Sequence, residues 1–116
     1  MIDPYVLSEY IENHTTPADA VLQELYRETN LHVMNPRMAS GQVQGRFLQF
    51  ICQMLKPKNV LEIGTFTGYS AICMARGIGD DAKITTIEAN EEYEDIIRKY
   101  FAKAGVEDKI GLILGD

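Results

Sequence analysis

Residues 59–70, NVLEIGTFTGYS, constrain the fold of this chain more than any other stretch. Val60, Leu61, Glu62 and Ile63 have the composition of a buried strand and run directly into Gly64. Gly68 then precedes Tyr69, Ser70, Ala71, Ile72, Cys73, Met74 and Ala75, an apolar run with helical character. A strand, a glycine turn and a helix start make a cradle for a nucleotide-type ligand. The first amides of a helix lack partners within it and point at whatever occupies the turn.

The letters between the glycines narrow the ligand. A dinucleotide fingerprint places a glycine two positions after the first, so that a pyrophosphate can approach the backbone. Here the spacing is G-x-x-x-G and Phe66 occupies that position, where a benzyl group would obstruct a diphosphate. Glu62, at the carboxyl end of the strand, repels phosphate and suits a cationic or amine-bearing ligand. S-adenosylmethionine meets both demands: it has no phosphate, a positive sulfonium, an ammonium and a carboxylate. Its carboxylate can use the helix N-terminus and the Ser70 hydroxyl.

A second acid supports this reading. The run KITTIE over Lys83–Glu88 predicts a β-branched strand ending in Glu88, 24 positions after Gly64. An acid at that strand tip, about 20 residues past the glycine turn, takes ribose hydroxyls in doubly wound folds. Glu88 could instead cap the following helix, but Asn90 is the better N-cap, with Glu91 and Glu92 suited to the first turn.

The rest of the chain predicts an α/β arrangement of three helices followed by β-α-β-α-β. Asp3-Pro4 starts a short helix ending near His14, and Thr16-Pro17 starts a second reaching about Thr29. Residues 31–40 form a linker broken at Asn35-Pro36. A third helix begins near Gly41, carries Phe47, Leu48, Ile51, Cys52 and Leu55 on one face, and stops at Lys56-Pro57. The later helices span 69–75 or slightly more and 91–104, the latter closed by Gly105. A last strand covers 109–114. The expected sheet is parallel, in order 3-2-1 with right-handed crossovers. Residues 1–40 are read as a helical segment and linker, and residues 41–116 as the N-terminal half of a Rossmann-like ligand-binding domain. With 116 residues and three strands, the chain reads as the front portion of a longer protein.

Seventeen acids against eleven bases give a net charge of −6, which opposes non-specific binding to nucleic acid or anionic membranes. The start of the chain has no secretory signal pattern and no apolar run approaches a membrane span, so a cytoplasmic location is expected. Cys52 and Cys73 lie on apolar helical faces without metal-ligand spacing and read as buried reduced thiols. His14 and His32 read as helix-end groups, and the acids at 91, 92, 94 and 95 as a solvated helix face. Tyr93 and Tyr100, with Ile96 and Ile97, read as core.

Gln44-Gly45-Arg46-Phe47-Leu48, Val60-Leu61-Glu62-Ile63-Gly64, Gly68-Tyr69-Ser70, Ile87-Glu88, Ala104-Gly105-Val106, Lys109-Ile110 and Gly115-Asp116 together resemble a known family. The chain is similar to the N-terminal half of class I S-adenosylmethionine-dependent O-methyltransferases of the catechol and caffeoyl-CoA type. The match runs from Met38 to Asp116, and the first two helices fit loosely. The resemblance implies a truncated Rossmann-like methyltransferase fold and a set of cofactor contacts. Glu62, Gly64 and the Thr65 backbone would line the methionine end, Ser70 would bond the cofactor carboxylate, and Glu88 would take both ribose hydroxyls. Ser40 would reach over the cofactor from the linker, and Met38 would pack near the sulfonium.

The resemblance also implies methyl transfer to a hydroxyl of a catechol or phenolic small molecule. In the full-length protein a divalent metal, commonly Mg2+, would bind both oxygens of a vicinal diol. By the family pattern its ligands lie beyond a fourth strand, so Asp116 is not one of them. No catalytic or metal residue is expected in this chain, which alone is expected to be inactive. A homodimer is implied, with Tyr5, Leu7, Tyr10 and Ile11 of the first helix at the contact. Hydroxyuridine in transfer RNA is an alternative substrate of the same family. An NAD-binding oxidoreductase domain and a non-catalytic assembly domain are the readings from other classes.

Overall fold

Aspartates start the first two helices. In the computed structural model, which describes residues 1–116, Asp3 caps α1 (Pro4–Asn13) by accepting the Tyr5 amide at 2.9 Å. Helix α2 (Ala20–His32) is capped by Asp19, which accepts the Leu22 amide at 3.0 Å. Thr16-Pro17 is therefore not the helix start; the Pro17 carbonyl instead accepts a hydrogen bond from Arg46 Nη2 at 2.9 Å. The helix also runs past Thr29. The Thr29 hydroxyl and the Asn30 side-chain amide both donate to carbonyls one turn back, on Leu25 and Tyr26, a bond these side chains can make within a helix.

A 3-10 turn at Pro36–Met38 leads into α3 (Gly41–Leu55), which ends as expected with Lys56 in a left-handed cap. The apolar face read for α3 is only partly used. Cys52 is buried and Leu48 packs against the core, while Phe47 and Leu55 are exposed. The reason is close approach to α4 (Tyr69–Gly77), which confines contact to a narrow line through Gly45, Leu48 and Cys52. At Gly77 an added Cβ would lie 2.5 Å from the Gln49 carbonyl oxygen and 2.8 Å from Cys52 Cβ.

Strands β1 (Asn59–Ile63), β2 (Lys83–Glu88) and β3 (Ile110–Leu114) form a parallel sheet with β2 central, the expected order. Leu61 pairs with Thr85, and Glu62 with Thr86, placing Glu62 and Glu88 near the same carboxyl end. Asn90 caps the 3-10 turn Glu91–Tyr93 through the Glu92 amide, and α5 (Glu94–Lys103) follows, closed by Gly105 at φ 70°. The sequence suggested one continuous helix over 91–104; its first turn is the tighter form.

One sheet face carries the core. Ile84 and Ile110 are buried with Leu22 and Leu25 of α2, Ile72 and Ala75 of α4, and Ile97, Tyr100 and Phe101 of α5. On the other face Leu61, Ile63 and Ile113 are exposed, Ile63 at 81%. The expectation of a fully buried β1 is thus corrected: side chains alternate across a strand, and helices cover only one of its faces. Helix α1 buries no residue, and Tyr5, Leu7, Tyr10 and Ile11 are all exposed. No helix is long and apolar enough to cross a membrane.

The α3–α4 approach gives a direct test. Gly77→Ala should lower unfolding free energy in urea by about 1–3 kcal/mol, the usual cost of overpacking. Gly111→Ala, whose added Cβ meets only the Ile84 carbonyl oxygen at 3.8 Å, should stay within about 0.5 kcal/mol of the parent.

Candidate methyl-donor site

The turn from β1 into α4 is built on left-handed backbone. Gly64, Phe66 and Gly68 have φ of 92°, 53° and 100°. An L side chain at Gly68 would be strained by that angle and would also meet the Phe101 ring at 2.8 Å. Phe66 is the exception that needs support, since a bulky residue rarely adopts this conformation. It is buried, its ring stands edge-on to Tyr93 at 5.2 Å, and its amide donates to Glu88 Oε1 at 2.7 Å.

Five of the residues singled out from sequence line one small cleft of about 60 Å³: Met38, Ser40, Gly64, Thr65 and Ser70. Met38 lies at the exposed rim, on the 3-10 turn, and Ser40 immediately precedes α3. Gly68 is the N-cap of α4 and no side chain caps that helix, so its first amides face the turn without a protein partner. This is where a ligand carboxylate gains most from the helix dipole.

The two acids sit beside the cleft rather than in its lining. Glu88 is buried, and its carboxylate grips backbone on both sides: Phe66 N through Oε1 and Asn90 N, at 2.9 Å, through Oε2. Each oxygen retains a second lone pair. The capping reading and the ligand reading therefore do not exclude each other; Asn90 caps the next turn while Glu88 holds the residue before it. Glu62 accepts from the Ser70 hydroxyl through Oε2 and from Thr86 Oγ1, at 2.7 Å, through Oε1. Burial pushes the Glu62 carboxyl above its usual range and the Glu88 charge adds to this, while the Ser70 and Thr86 hydroxyls oppose it. Ser70, read as a partner for the ligand carboxylate, is bonded to Glu62 here.

Sequence reading missed a set of buried threonines. Thr65 Oγ1 and Thr86 Oγ1 are 2.6 Å apart, and Thr29 Oγ1 and Thr67 Oγ1 are 3.0 Å apart. The signal was present but quiet. Thr86 falls on the Ile84–Glu88 face of β2 by period two, and Thr29 continues the Leu22, Leu25 stripe of α2. No buried side-chain polar atom in the structure lacks a hydrogen-bond partner.

Comparison with known proteins follows the same outline. The sequence pattern of the family described as O-methyltransferase matches residues 12–116. The chain belongs to the O-methyltransferase family. It is 39% identical over 95 residues to a caffeoyl-CoA O-methyltransferase of Stellaria longipes, covering 82% of this chain and 39% of that protein. It is 35% identical over 80 residues to a catechol O-methyltransferase of Mycobacterium tuberculosis, covering 69% and 36%. Among solved structures, an O-methyltransferase from Bacillus cereus in complex with SAH matches with a TM-score of 0.87 at 32% identity, over 96% of this chain and 50% of that one. An SAH-bound methyltransferase of Podospora anserina matches at 0.88 and 31%, over 100% and 53%.

This O-methyltransferase chain thus spans about two fifths of the length of those curated relatives and about half of the solved ones. Its fold is the Rossmann-like methyltransferase arrangement. The family pattern starts at residue 12, near the end of α1, and includes α2. The remaining polar groups have local roles. His14 caps α1 through Nδ1 and the Tyr10 carbonyl at 2.7 Å and stacks on the Tyr10 ring, and His32 closes α2. Cys52 and Cys73 are buried and unbridged, and burial raises both thiols, Cys73 to about 11.

The raised Glu62 carboxyl has a defined effect on stability. The folded state binds its proton more tightly than the unfolded chain, whose value is near 4.5. Stability therefore falls as pH rises from about that value through the folded pKa. In urea unfolding between pH 4 and pH 7 the stability of the parent should fall with pH relative to that of Glu62→Gln, which lacks this titration.

Proposed function

We propose that this chain holds S-adenosylmethionine across the 64–70 turn and forms the donor half of an O-methyltransferase acting on a small catechol or phenolic hydroxyl. One observation carries the reading: the uncapped N-terminus of α4 opens on a cleft flanked by two acids at adjacent strand ends. Phosphate suits neither acid. A zwitterion with a neighbouring diol suits both, with its carboxylate at the α4 amides, its ammonium toward Glu62 and its ribose hydroxyls toward Glu88. The SAH bound in the Bacillus cereus and Podospora anserina relatives supports this choice.

When bound, S-adenosylmethionine would supply an electrophilic methyl group on a cationic sulfur. The residues of this chain bind and orient. Gly64 and Thr65 leave the floor of the turn open, Met38 and Ser40 close it from the linker, and Glu88 keeps Phe66 in place. Residues 1–40 act in this reading as a helical segment and linker that lends Met38 and Ser40 to a donor half at 41–116. No group of three or more His, Cys, Asp or Glu side chains is placed to hold a metal. The Mg2+ and the acceptor of the proposed reaction are assigned to none of the residues of this chain. The exposed apolar side chains of α1 fit the homodimer contact of the same reading.

Calorimetric titration with S-adenosylhomocysteine and with NAD tests the proposal. S-adenosylhomocysteine should bind, and Glu88→Ala should weaken it at least tenfold, about 1.4 kcal/mol. Tight binding of NAD without a response to S-adenosylhomocysteine would overturn the reading.

The pH dependence adds a second check. A carboxylate facing an ammonium must be ionised, and Glu62 is held above its usual range. Affinity for S-adenosylhomocysteine should therefore rise with pH through the Glu62 titration, and Glu62→Gln should bind weakly with that rise abolished.

A further inference from the structure

We propose that Thr29, in the last turn of α2, is a positioning residue for the 64–70 loop, tying the loop to an element outside the sheet. Its side chain and that of Thr67 are completely or almost completely buried, at 0% and 1% exposure, and their hydroxyl oxygens are 3.0 Å apart across 38 residues of chain. Thr29 has one hydroxyl hydrogen, and the Leu25 carbonyl at 2.7 Å can only accept it. The Thr67 hydroxyl pairs with that same Thr29 oxygen, linking the loop to the helix backbone.

The place of Thr67 gives this contact its weight. It lies between Phe66 and Gly68, two consecutive left-handed positions separated by this one residue. The other hydrogen bonds that hold the loop come from the sheet, one of them from β1, where Glu62 accepts from the Ser70 hydroxyl, and the rest from β2. Ile87 accepts the Gly64 and Thr65 amides, Glu88 accepts the Phe66 amide, and Thr86 meets the Thr65 hydroxyl. Thr29 is the hold that approaches from the helical side. Helix α2 is itself fixed, by Leu22 and Leu25 in the core and by ion pairs Glu24–Lys103 and Glu28–Lys99 to α5 and Asp19–Arg76 to α4. The start of α4, with its uncapped amides, thus takes its position from both the sheet and α2. Breaking the pair from one side leaves a hydroxyl buried without its partner, which costs more than the bond contributes.

Hydrogen–deuterium exchange of residues 64–70 tests the tie without any ligand. Thr29→Val keeps the shape and removes the hydroxyl; it should speed exchange in this segment about tenfold and leave β2 amides at the parent rate. Thr29→Ser should restore slow exchange. Thr67→Val should reproduce the effect from the other partner, and the double valine variant should be no faster than the faster single one. Parent-like exchange in both valine variants, equal acceleration in Thr29→Ser, or acceleration spread evenly over the chain would each overturn the proposal. Its consequence for ligand binding rests on the methyl-donor reading above: Thr29→Val should weaken S-adenosylhomocysteine about tenfold and Thr29→Ser should not. A parent chain that ignores S-adenosylhomocysteine while loop exchange responds as stated would overturn the donor reading and leave the tie standing. Parent affinity retained in Thr29→Val would overturn the coupling.

Discussion

The grip of Glu88 on the Phe66 amide is the interaction on which the rest of the site depends. Three left-handed residues within five positions turn β1 into α4, and one of them carries a benzyl side chain. Such a backbone persists only where its surroundings over-determine it. Here a charge-assisted hydrogen bond from a buried carboxylate, the Ile87 carbonyl and the Tyr93 ring supply that determination together. The same carboxylate stands at the end of the strand paired to β1, so one residue links the end of the sheet to the conformation of the loop.

The arrangement leaves two local debts. The α4 N-terminus has no protein cap, and Glu62 is held half-buried with its charge disfavoured by desolvation. A protein selected for stability alone would cap the helix and replace the acid. On the proposed reading both features would become favourable together, the ligand carboxylate completing the helix and its ammonium compensating the acid. Strain and unspent hydrogen-bonding capacity are concentrated where a ligand can use them.

The surroundings divide in a parallel way. Helices α2, α4 and α5 bury one face of the sheet with large apolar side chains, and Gly77 lets α3 close against α4. The opposite face, with Leu61, Ile63 and Ile113, and the apolar side of α1 remain exposed in this chain. Parallel sheets are ordinarily covered on both faces. The chain matches only about half the length of its solved relatives, and the two facts are consistent with one another.

Much of this was legible in the residues themselves. The strand–glycine–helix sequence at 59–70, the β-branched run to Glu88, Asn90 as a cap and Gly105 as a stop are local signals, set by neighbours along the chain. They determined the element order and five residues that meet at one cleft. The start of α2, the narrow use of the α3 face and the exposure of β1 were not legible, since each depends on which neighbour arrives and how closely. The threonine pairs belong with these. A threonine reads the same on a solvated face and in a core, and only the packing of α2 against the loop brings Thr29 to Thr67. Sequence alone determined which groups gather at the 64–70 turn, the ones proposed to hold a methyl donor. The tertiary structure decided which of them are already engaged with each other, because hydrogen-bond partners distant along the chain are chosen by packing and not by spacing.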